Sequence, residues 1–364
     1  MKSILLLINN LGSGGAQRQI VEMAIGFKEL GYKVQFLIYQ KDYSDYYFEY
    51  LHKNDIKIDD IKEPNYILRI LKIRKYIRKY NPDVLISFLE TSSFMAELAS
   101  IPTRKWKLIV GERSADPAKR KSKKLKLFAN FHVFADHVVA NSKSNIDILK
   151  DIAPIVNESK YKVIYNLLDE KKFPFKTGEF KYKQDGYLKI VVASSHRHLK
   201  NLDGLIEGAR LLPDGDKKRL KIDWYGSNKF DDSLALGKQK IKEYKLESIF
   251  NFHEPTLSIY KYMEEADAVG LFSHFEGLPN AICEGMFLGK PIIVTKISDM
   301  PYIIKENVNG FLCESTNPQS IADALSALIN SSAEELEKIG LNNRELAKEL
   351  FSKKKVIAEY ESLF

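Results

Sequence analysis

Two glutamates, Glu276 and Glu284, stand with seven residues between them in the stretch SHFEGLPNAICEG, residues 273–285. Their neighbours are glycine, proline, asparagine and apolar side chains, a composition suited to burial. A buried carboxylate is costly unless something polar pairs with it. The two acids are therefore either surface residues without a role or part of a site for a ligand rich in hydrogen-bond donors. Glu284 has an ordinary local explanation: Asn280 suits a helix N-cap, and Glu284 then falls in or near the first turn, where the helix dipole favours an acid. Ser273 and Glu276 have the spacing of a capping box, but Gly277 and Pro279 follow in place of a continuing helix. Glu276 thus has less of a structural explanation.

Three other clusters carry chemistry. VASSHRHLKN places Arg197 and Lys200 just after an apolar run, with His196 and His198 between and beside them. A guanidinium and an ammonium at a strand end suit a diphosphate, by forked and point-charge contacts; the reading as solvated loop cations stands beside it. NNLGSGGAQRQI follows the first apolar run and opens a helical pattern. Its Gly12, Gly14 and Gly15 allow a tight turn and close approach of a ligand to a helix N-terminus. The third glycine of a dinucleotide fingerprint is missing, and the next strand ends in Tyr39 and Gln40 in place of a ribose-binding acid, which argues against NAD. GERSADP puts Glu112 and Arg113 after another strand, within a stretch, 104–126, that has ten basic residues and two acids. That stretch is either a solvated basic face or a surface for a membrane or phosphate.

The elements that must hold these clusters alternate. SILLLI, KVQFLIY, DVLISFL, KLIVGE and HVVANS read as strands. Between them, 14–31 is helical with Ile20, Met23, Ala24, Phe27 and Leu30 on one stripe, and 65–81 is helical with Ile67, Ile70, Leu71, Ile77 and Tyr80 inward. This alternation predicts a parallel sheet covered on both faces. Periodicity lapses near 167–187, where charge, Pro and Gly mark a linker. It restarts with LKIVVAS, LKIDWYG, IFNFHE, AVGLFS, PIIVT and GFLC, separated by helical patterns, and two long helical patterns close the chain. The prediction is two α/β domains, 1–170 and 186–349. Ligands of such sheets bind beyond the carboxyl ends of the strands, so two edges facing across a cleft would gather all four clusters.

Composition bounds the rest. The 364 residues are 45% hydrophobic, enough for two cores. Cys283 and Cys313 match no ligand spacing and suit a reducing compartment. The run Ile4 to Ile8 is too short for a signal-peptide core, and nothing approaches a membrane span. No P-loop, G-x-S-x-G or zinc spacing is present, the Asp pairs at 59–60 and 231–232 do not follow apolar strands as a metal-binding D-x-D would, and no metal or other cofactor is expected. Residues 1–170 hold 28 of the 56 Lys+Arg but only 20 of the 48 Asp+Glu, so the whole net charge of +8 lies there. An anionic partner of the first half follows. Aromatics are not interleaved with the basic clusters, so nucleic acid is not the expected one.

SHFEGLPNAICEGMFLGKPIIVT together with NVNGFLCESTNPQSIADAL resembles the C-terminal half of retaining glycosyltransferases of the GT-B fold, the large family four, whose E-x7-E signature Glu276 and Glu284 match. GSGGAQR resembles that family's glycine loop, and VIYN, ending at Asn166, the end of its first domain. The resemblance implies two Rossmann-like α/β domains facing each other across a cleft, with the last helix, about 350–364, crossing back onto the first. It implies Glu276 on donor-sugar hydroxyls, Glu284 on ribose hydroxyls, backbone N–H groups of Gly277, Leu278, Pro279 and Asn280 toward the phosphate or sugar, Arg197 and Lys200 on the diphosphate, and Gly14 and Gly15 near the donor. Two departures stand out. Ser195 occupies the place of an arginine found in many members, and Glu112–Arg113 replaces a histidine that contacts the donor sugar, in the manner of transferases that build bacterial surface polysaccharides. The implied activity is transfer of a hexose or N-acetylhexosamine from a nucleotide sugar, UDP-linked, to a lipid-linked glycan. The implied location is cytoplasmic, on the inner face of an anionic membrane. The alternatives are a GT-B epimerase or phosphorylase and, from another class, a non-enzymatic anionic lipid or nucleic-acid binder.

Overall fold

The computed structural model describes residues 2–40, 46–173, 182–183, 186–256 and 258–364. Of the linker expected near 167–187, residues 174–181, 184 and 185 lie outside the described residues. The chain forms two compact units: Met1–Leu168 with Phe351–Phe364, and Asp169–Leu350.

The first unit is built on a seven-stranded parallel sheet of β1 (Ser3–Leu7), β2 (Lys33–Ile38), β3 (Lys57–Asp60), β4 (Val84–Phe88), β5 (Lys107–Glu112), β6 (His137–Ala140) and β7 (Tyr161–Val163), in the order β3-β2-β1-β4-β5-β6-β7. Alternate residues of each strand enter opposite cores. Ile4 and Leu6 join one cluster, Leu5 and Leu7 the other, and all four are fully buried. That two-sided burial explains why the strands read as continuous apolar runs. The short strands β3 and β7 were not legible as such; they are the sheet's polar edges. The final helix, Lys353–Glu361, lies in this unit against Gly15–Glu29, where a Cβ on Gly26 would come within 2.7 Å of the Ile357 side chain.

The second unit repeats the plan with six parallel strands, β8 (Leu188–Ala193), β9 (Leu220–Tyr225), β10 (Phe250–His253), β11 (Ala268–Leu271), β12 (Ile292–Thr295) and β13 (Gly310–Cys313), ordered β10-β9-β8-β11-β12-β13. The strand order reverses between β1 and β4 in one sheet and between β8 and β11 in the other. At such a switch point the following loops run in opposite directions and leave a crevice beyond the strand ends. Both cysteines are buried and unbridged.

Two expectations about helix faces need correction. In the helix Tyr66–Tyr80 only Ile73 and Ile77 are fully buried, while Ile67 and Leu71 face solvent. Leu30, placed on the inward stripe of the first helix, is its exposed C-cap. Among the described residues no helix is long and apolar enough to cross a membrane.

Candidate functional site

The loops after β8 and β11 leave adjacent strands at the second unit's switch point, and they bring Lys200 and Glu276 together. Lys200 Nζ donates to Glu276 Oε1, and each side chain is 17% exposed. Ser273 Oγ donates to the same Oε1 at 2.8 Å. The Ser-x-x-Glu spacing thus serves a side-chain contact, not a helix cap. Ser273 itself is fully buried, and its carbonyl accepts from Thr295 Oγ1 at 2.7 Å.

Asn201 fixes the two loops relative to each other. It adopts a left-handed conformation, φ 61°, which asparagine tolerates better than most residues. Its Oδ1 accepts from the Gly204 amide at 3.1 Å, capping Leu202–Leu211, while its Nδ2 donates to the carbonyls of Phe272 at 3.1 Å and Ser315 at 2.7 Å. The His274 amide adds a bond to the Leu199 carbonyl at 2.9 Å. Sequence reasoning passed over Asn201; its one signal was its place directly after Lys200, ahead of a helical pattern.

Arg197 is exposed, with its guanidinium 5.2 Å from the centroid of the Phe230 ring. His196 is buried against Trp224, ring centroids 5.5 Å apart. Burial, helped by nearby Lys238, pushes this imidazole down to about 4, so it is neutral at pH 7. His198 gathers two carboxylates. Its amide donates to Asp231 Oδ2 at 2.9 Å, and its Nε2 lies 2.6 Å from Asp232 Oδ1. These three exposed residues offer atoms within 4.8 Å of one another, spacing that a metal ion would accept.

The end of the opening motif needs two corrections. The helix runs Asn280–Phe287 with Pro279 as its N-cap, so Asn280 is its first residue and no acid lies in its first turn. Glu284 is a turn further on and buried, which removes the dipole explanation. Pro279 has no N–H to offer a ligand, so the first-turn amides are those of Asn280, Ala281 and Ile282, while the Cys283 amide bonds to the Pro279 carbonyl at 3.3 Å. Gly277, Leu278 and Pro279 are buried beside them.

In the first unit, the glycine loop follows β1 at the other switch point. Gly14 caps Gly15–Glu29 at φ −72°, a conformation open to any residue. The loop is stitched internally: Gln17 Nε2 donates to Asn9 Oδ1 at 3.3 Å and Asn10 Oδ1 at 3.1 Å, and the Gly12 amide to Asn10 Oδ1 at 3.1 Å.

Glu112 and Arg113, at the end of β5, have opposite surroundings. Glu112 is buried, 2.8 Å from Lys119 Nζ and 3.7 Å from His132 Nε2. Burial alone would raise its carboxyl, but Lys119 and His132 outweigh it and hold it near 2. Lys119 also pairs with Glu90 at 2.6 Å, and His132 Nδ1 lies 2.6 Å from Glu97 Oε1. Burial opposes charge on His132, yet Glu97 and Glu112 prevail and lift it to about 10. Glu90, Glu97, Lys119 and His132 are drawn from three separate stretches, and sequence reasoning singled out none of them. Glu90 is partly exposed and follows Leu89, whose φ of 77° is strained for a non-glycine. Arg113 stacks over Phe88 at 3.7 Å and donates to Tyr360 Oη at 2.5 Å and Asn166 Oδ1 at 3.4 Å.

This geometry meets two family models. Residues 13–172 match that of Glycosyltransferase Family 4 and residues 176–346 that of Glycosyl transferases group 1. Among curated proteins, N-acetyl-alpha-D-glucosaminyl L-malate synthase of Bacillus anthracis is 25% identical over 63% of this chain and 59% of its own length. The poly(ribitol-phosphate) alpha-N-acetylglucosaminyltransferase of Staphylococcus aureus is 28% identical over 45% of this chain and 33% of its own. The match thus spans between a third and three fifths of these relatives. Among solved structures, Alr3699/HepE of Anabaena, in complex with UDP, superposes with a TM-score of 0.85 at 18% identity, covering 100% of this chain and 99% of that one. S. aureus TarM, solved as a variant with fondaparinux, alpha-GlcNAc-glycerol and UDP, gives 0.79 at 14%, covering 100% and 99%. These likenesses show the fold: two Rossmann-like α/β units of the GT-B class.

Proposed function

We propose a reaction for a chain that belongs to the GT-B glycosyltransferases of the family-four type: transfer of a hexose or N-acetylhexosamine from a nucleotide sugar to a glycan acceptor, with retention at the anomeric carbon. The donor is uridine-linked and the acceptor lipid-linked, and the product is a bacterial surface polysaccharide. The Anabaena protein's structures, solved with UDP and with UDP-glucose, support the donor. Likeness to transferases of amylovoran and colanic acid biosynthesis supports the pathway class. The unbalanced positive charge of residues 1–170 supports a membrane-borne acceptor.

The observation that carries the proposal is the Lys200–Glu276 pair at the β8/β11 switch point. Breaking a sugar–diphosphate bond leaves the electron pair on a diphosphate oxygen and positive charge on the sugar ring. Lys200 meets the first need and the first-turn amides of Asn280–Phe287 add to it, because preorganised charge aimed at a developing anion is among the largest catalytic terms. Glu276 meets the second and also accepts hydrogen bonds from sugar hydroxyls, while Glu284 takes the ribose. The acceptor oxygen bonds to the anomeric carbon on the face the diphosphate leaves, and its proton passes to the departing phosphate oxygen. No protein nucleophile and no metal take part, and Arg197 contributes by turning from Phe230 toward the diphosphate.

The test is incubation with a panel of UDP-, GDP- and TDP-sugars plus lipid-linked acceptors, with nucleotide release measured and the product's anomeric proton read by NMR. Release that depends on the acceptor, with an unchanged anomeric configuration, supports the reading. Conversion of a sugar nucleotide by the protein alone would establish an epimerase instead, and a trapped glycosyl–enzyme adduct would overturn the single-displacement route.

A further inference from the structure

The helix Tyr66–Tyr80 breaks the ordinary rule that an amphipathic helix turns its apolar stripe inward. Its inner face is supplied by Ile73 and Ile77. Its first turn and a half points Tyr66, Ile67, Leu68 and Leu71 into solvent, at 40, 68, 48 and 54% exposure. Continuing along the same outer face are Lys72, Lys75, Arg78 and Lys79. The helix holds six basic residues and no acid. Lys75 and Lys79 have no hydrogen-bond or ion-pair partner among the described residues.

The exposed end is held in place. Asn65 Oδ1 accepts from the amides of Ile67 at 3.0 Å and Leu68 at 3.1 Å, and Arg69 Nε donates to the Glu63 carbonyl at 2.7 Å. At the other end Arg78 donates to the carbonyls of Ala99 and Thr103, each at 3.0 Å. The neighbouring helix Glu90–Ser100 packs against both this helix and Lys123–Asn130. The latter repeats the combination: Lys123, Lys124 and Lys126 are exposed, with Leu127 at 54%.

We propose that these two helices form the docking surface by which the protein sits on an anionic phospholipid bilayer. The proposal deepens the membrane-borne acceptor suggested above and rests on it for its biological purpose, but not for its physics. Aliphatic side chains enter the acyl boundary while lysines and arginines snorkel to headgroup phosphates, so a bilayer satisfies both halves of the face at once. Nucleic acid would satisfy the cations alone, and it gains little from Ile67 or Leu71. The rings of Tyr76 and Tyr80 are stacked on each other at 6.1 Å rather than offered to bases. A two-fold contact with a second copy would set the same cations against themselves.

Full-length protein is sedimented with sucrose-loaded vesicles of phosphatidylethanolamine and phosphatidylglycerol, and with vesicles of phosphatidylcholine alone, at low and high salt. Binding to the anionic vesicles and little to the neutral ones is expected. Lys75→Ala and Lys79→Ala should each lower partitioning about fivefold at low salt and less at high salt. The double variant Ile67→Ser/Leu71→Ser should lower it at either salt, with an unchanged circular dichroism spectrum and melting temperature. Equal binding to both vesicle types, unchanged binding by the serine variant, or dimerisation lost on the same substitutions would overturn the surface. Nucleotide release with a soluble acceptor analogue separates the two failures. A protein that binds vesicles and transfers nothing refutes the proposed activity. One that transfers to the soluble acceptor and ignores vesicles refutes the surface.

Discussion

Replacing Glu276 with Gln separates the two demands made on Lys200. In the structure the ammonium is engaged by Glu276, yet the proposed chemistry needs it at the diphosphate. A bound nucleoside diphosphate therefore competes with an internal carboxylate. With both side chains only 17% exposed, the pair lies between a surface bridge and a buried one, and its worth is about 1 kcal/mol. Glu276→Gln should release that amount and tighten nucleoside diphosphate binding about fivefold, the factor that 1 kcal/mol represents. The same substitution removes a charge-assisted hydrogen bond to the sugar, worth about 1.5–3 kcal/mol, so kcat/KM for transfer should fall about 10- to 150-fold. Lys200→Met should weaken diphosphate binding and lower transfer about 10²- to 10³-fold, the usual loss when a preorganised charge at a developing anion is removed. Calorimetric titration with UDP and GDP gives the affinities, and acceptor-dependent nucleotide release gives the rates. The two variants should thus move binding in opposite directions and turnover in the same direction. If Glu276→Gln weakens diphosphate binding as Lys200→Met does, Glu276 is not a competitor, and the division of labour between the two residues is wrong.

His132→Gln should destabilise the first unit by about 1–3 kcal/mol, because it takes the cationic partner from Glu97, whose carboxyl burial pushes up. A histidine raised to about 10 in the fold stabilises fully below its unfolded value, near 6.5, and loses that contribution as pH rises toward 10. Urea unfolding followed through Trp106, the first unit's tryptophan, should show the wild-type advantage at pH 6 shrinking by pH 9.5; an advantage that grows with pH contradicts the charged assignment. Asn201→Gly should be less damaging to stability than Asn201→Ala, by roughly 1 kcal/mol, since only glycine restores the left-handed conformation. Both should raise the donor KM by loosening Lys200, and equal melting temperatures would show that φ is not the constraint. Transfer should persist in excess EDTA and in His198→Ala; loss of activity in either would move the His198–Asp231–Asp232 cluster into the reaction.

The parallel sheets were legible because strands buried on both faces become short apolar runs, and eleven of the thirteen strands among the described residues follow from that rule. The omissions share a cause. β3 and β7 are sheet edges, and Lys57, Asp59 and Asp60 carry no apolar signature. The face of the helix Tyr66–Tyr80 was misjudged for the opposite reason. Ile67, Leu68, Ile70, Leu71, Ile73 and Ile77 surround the axis too widely for periodicity to choose an interior. Ile73 and Ile77 lie one turn apart; Ile67 and Leu71 do as well, roughly a third of the way round the helix. Only the position of the sheet decides between the two stripes.

The site shows a sharper limit. Types and local spacing located Lys200 and Glu276 separately, each just beyond an apolar strand. Their contact spans 76 residues and exists because β8 and β11 are neighbours, a fact of strand order and not of spacing. The same holds for His198, which meets Asp231 and Asp232 from across the β8–β9 connection, and for Glu112, whose partners Lys119 and His132 come from elements that follow β5. Where local spacing was trusted for position, it misled: Asn280 has the chemistry of a cap, but Pro279 occupies that place, and Glu284 consequently sits a turn deeper in a buried helix. That displacement takes the second glutamate beyond the reach of the first-turn dipole, so its place in a buried helix has to rest on polar contacts that only the folded chain supplies.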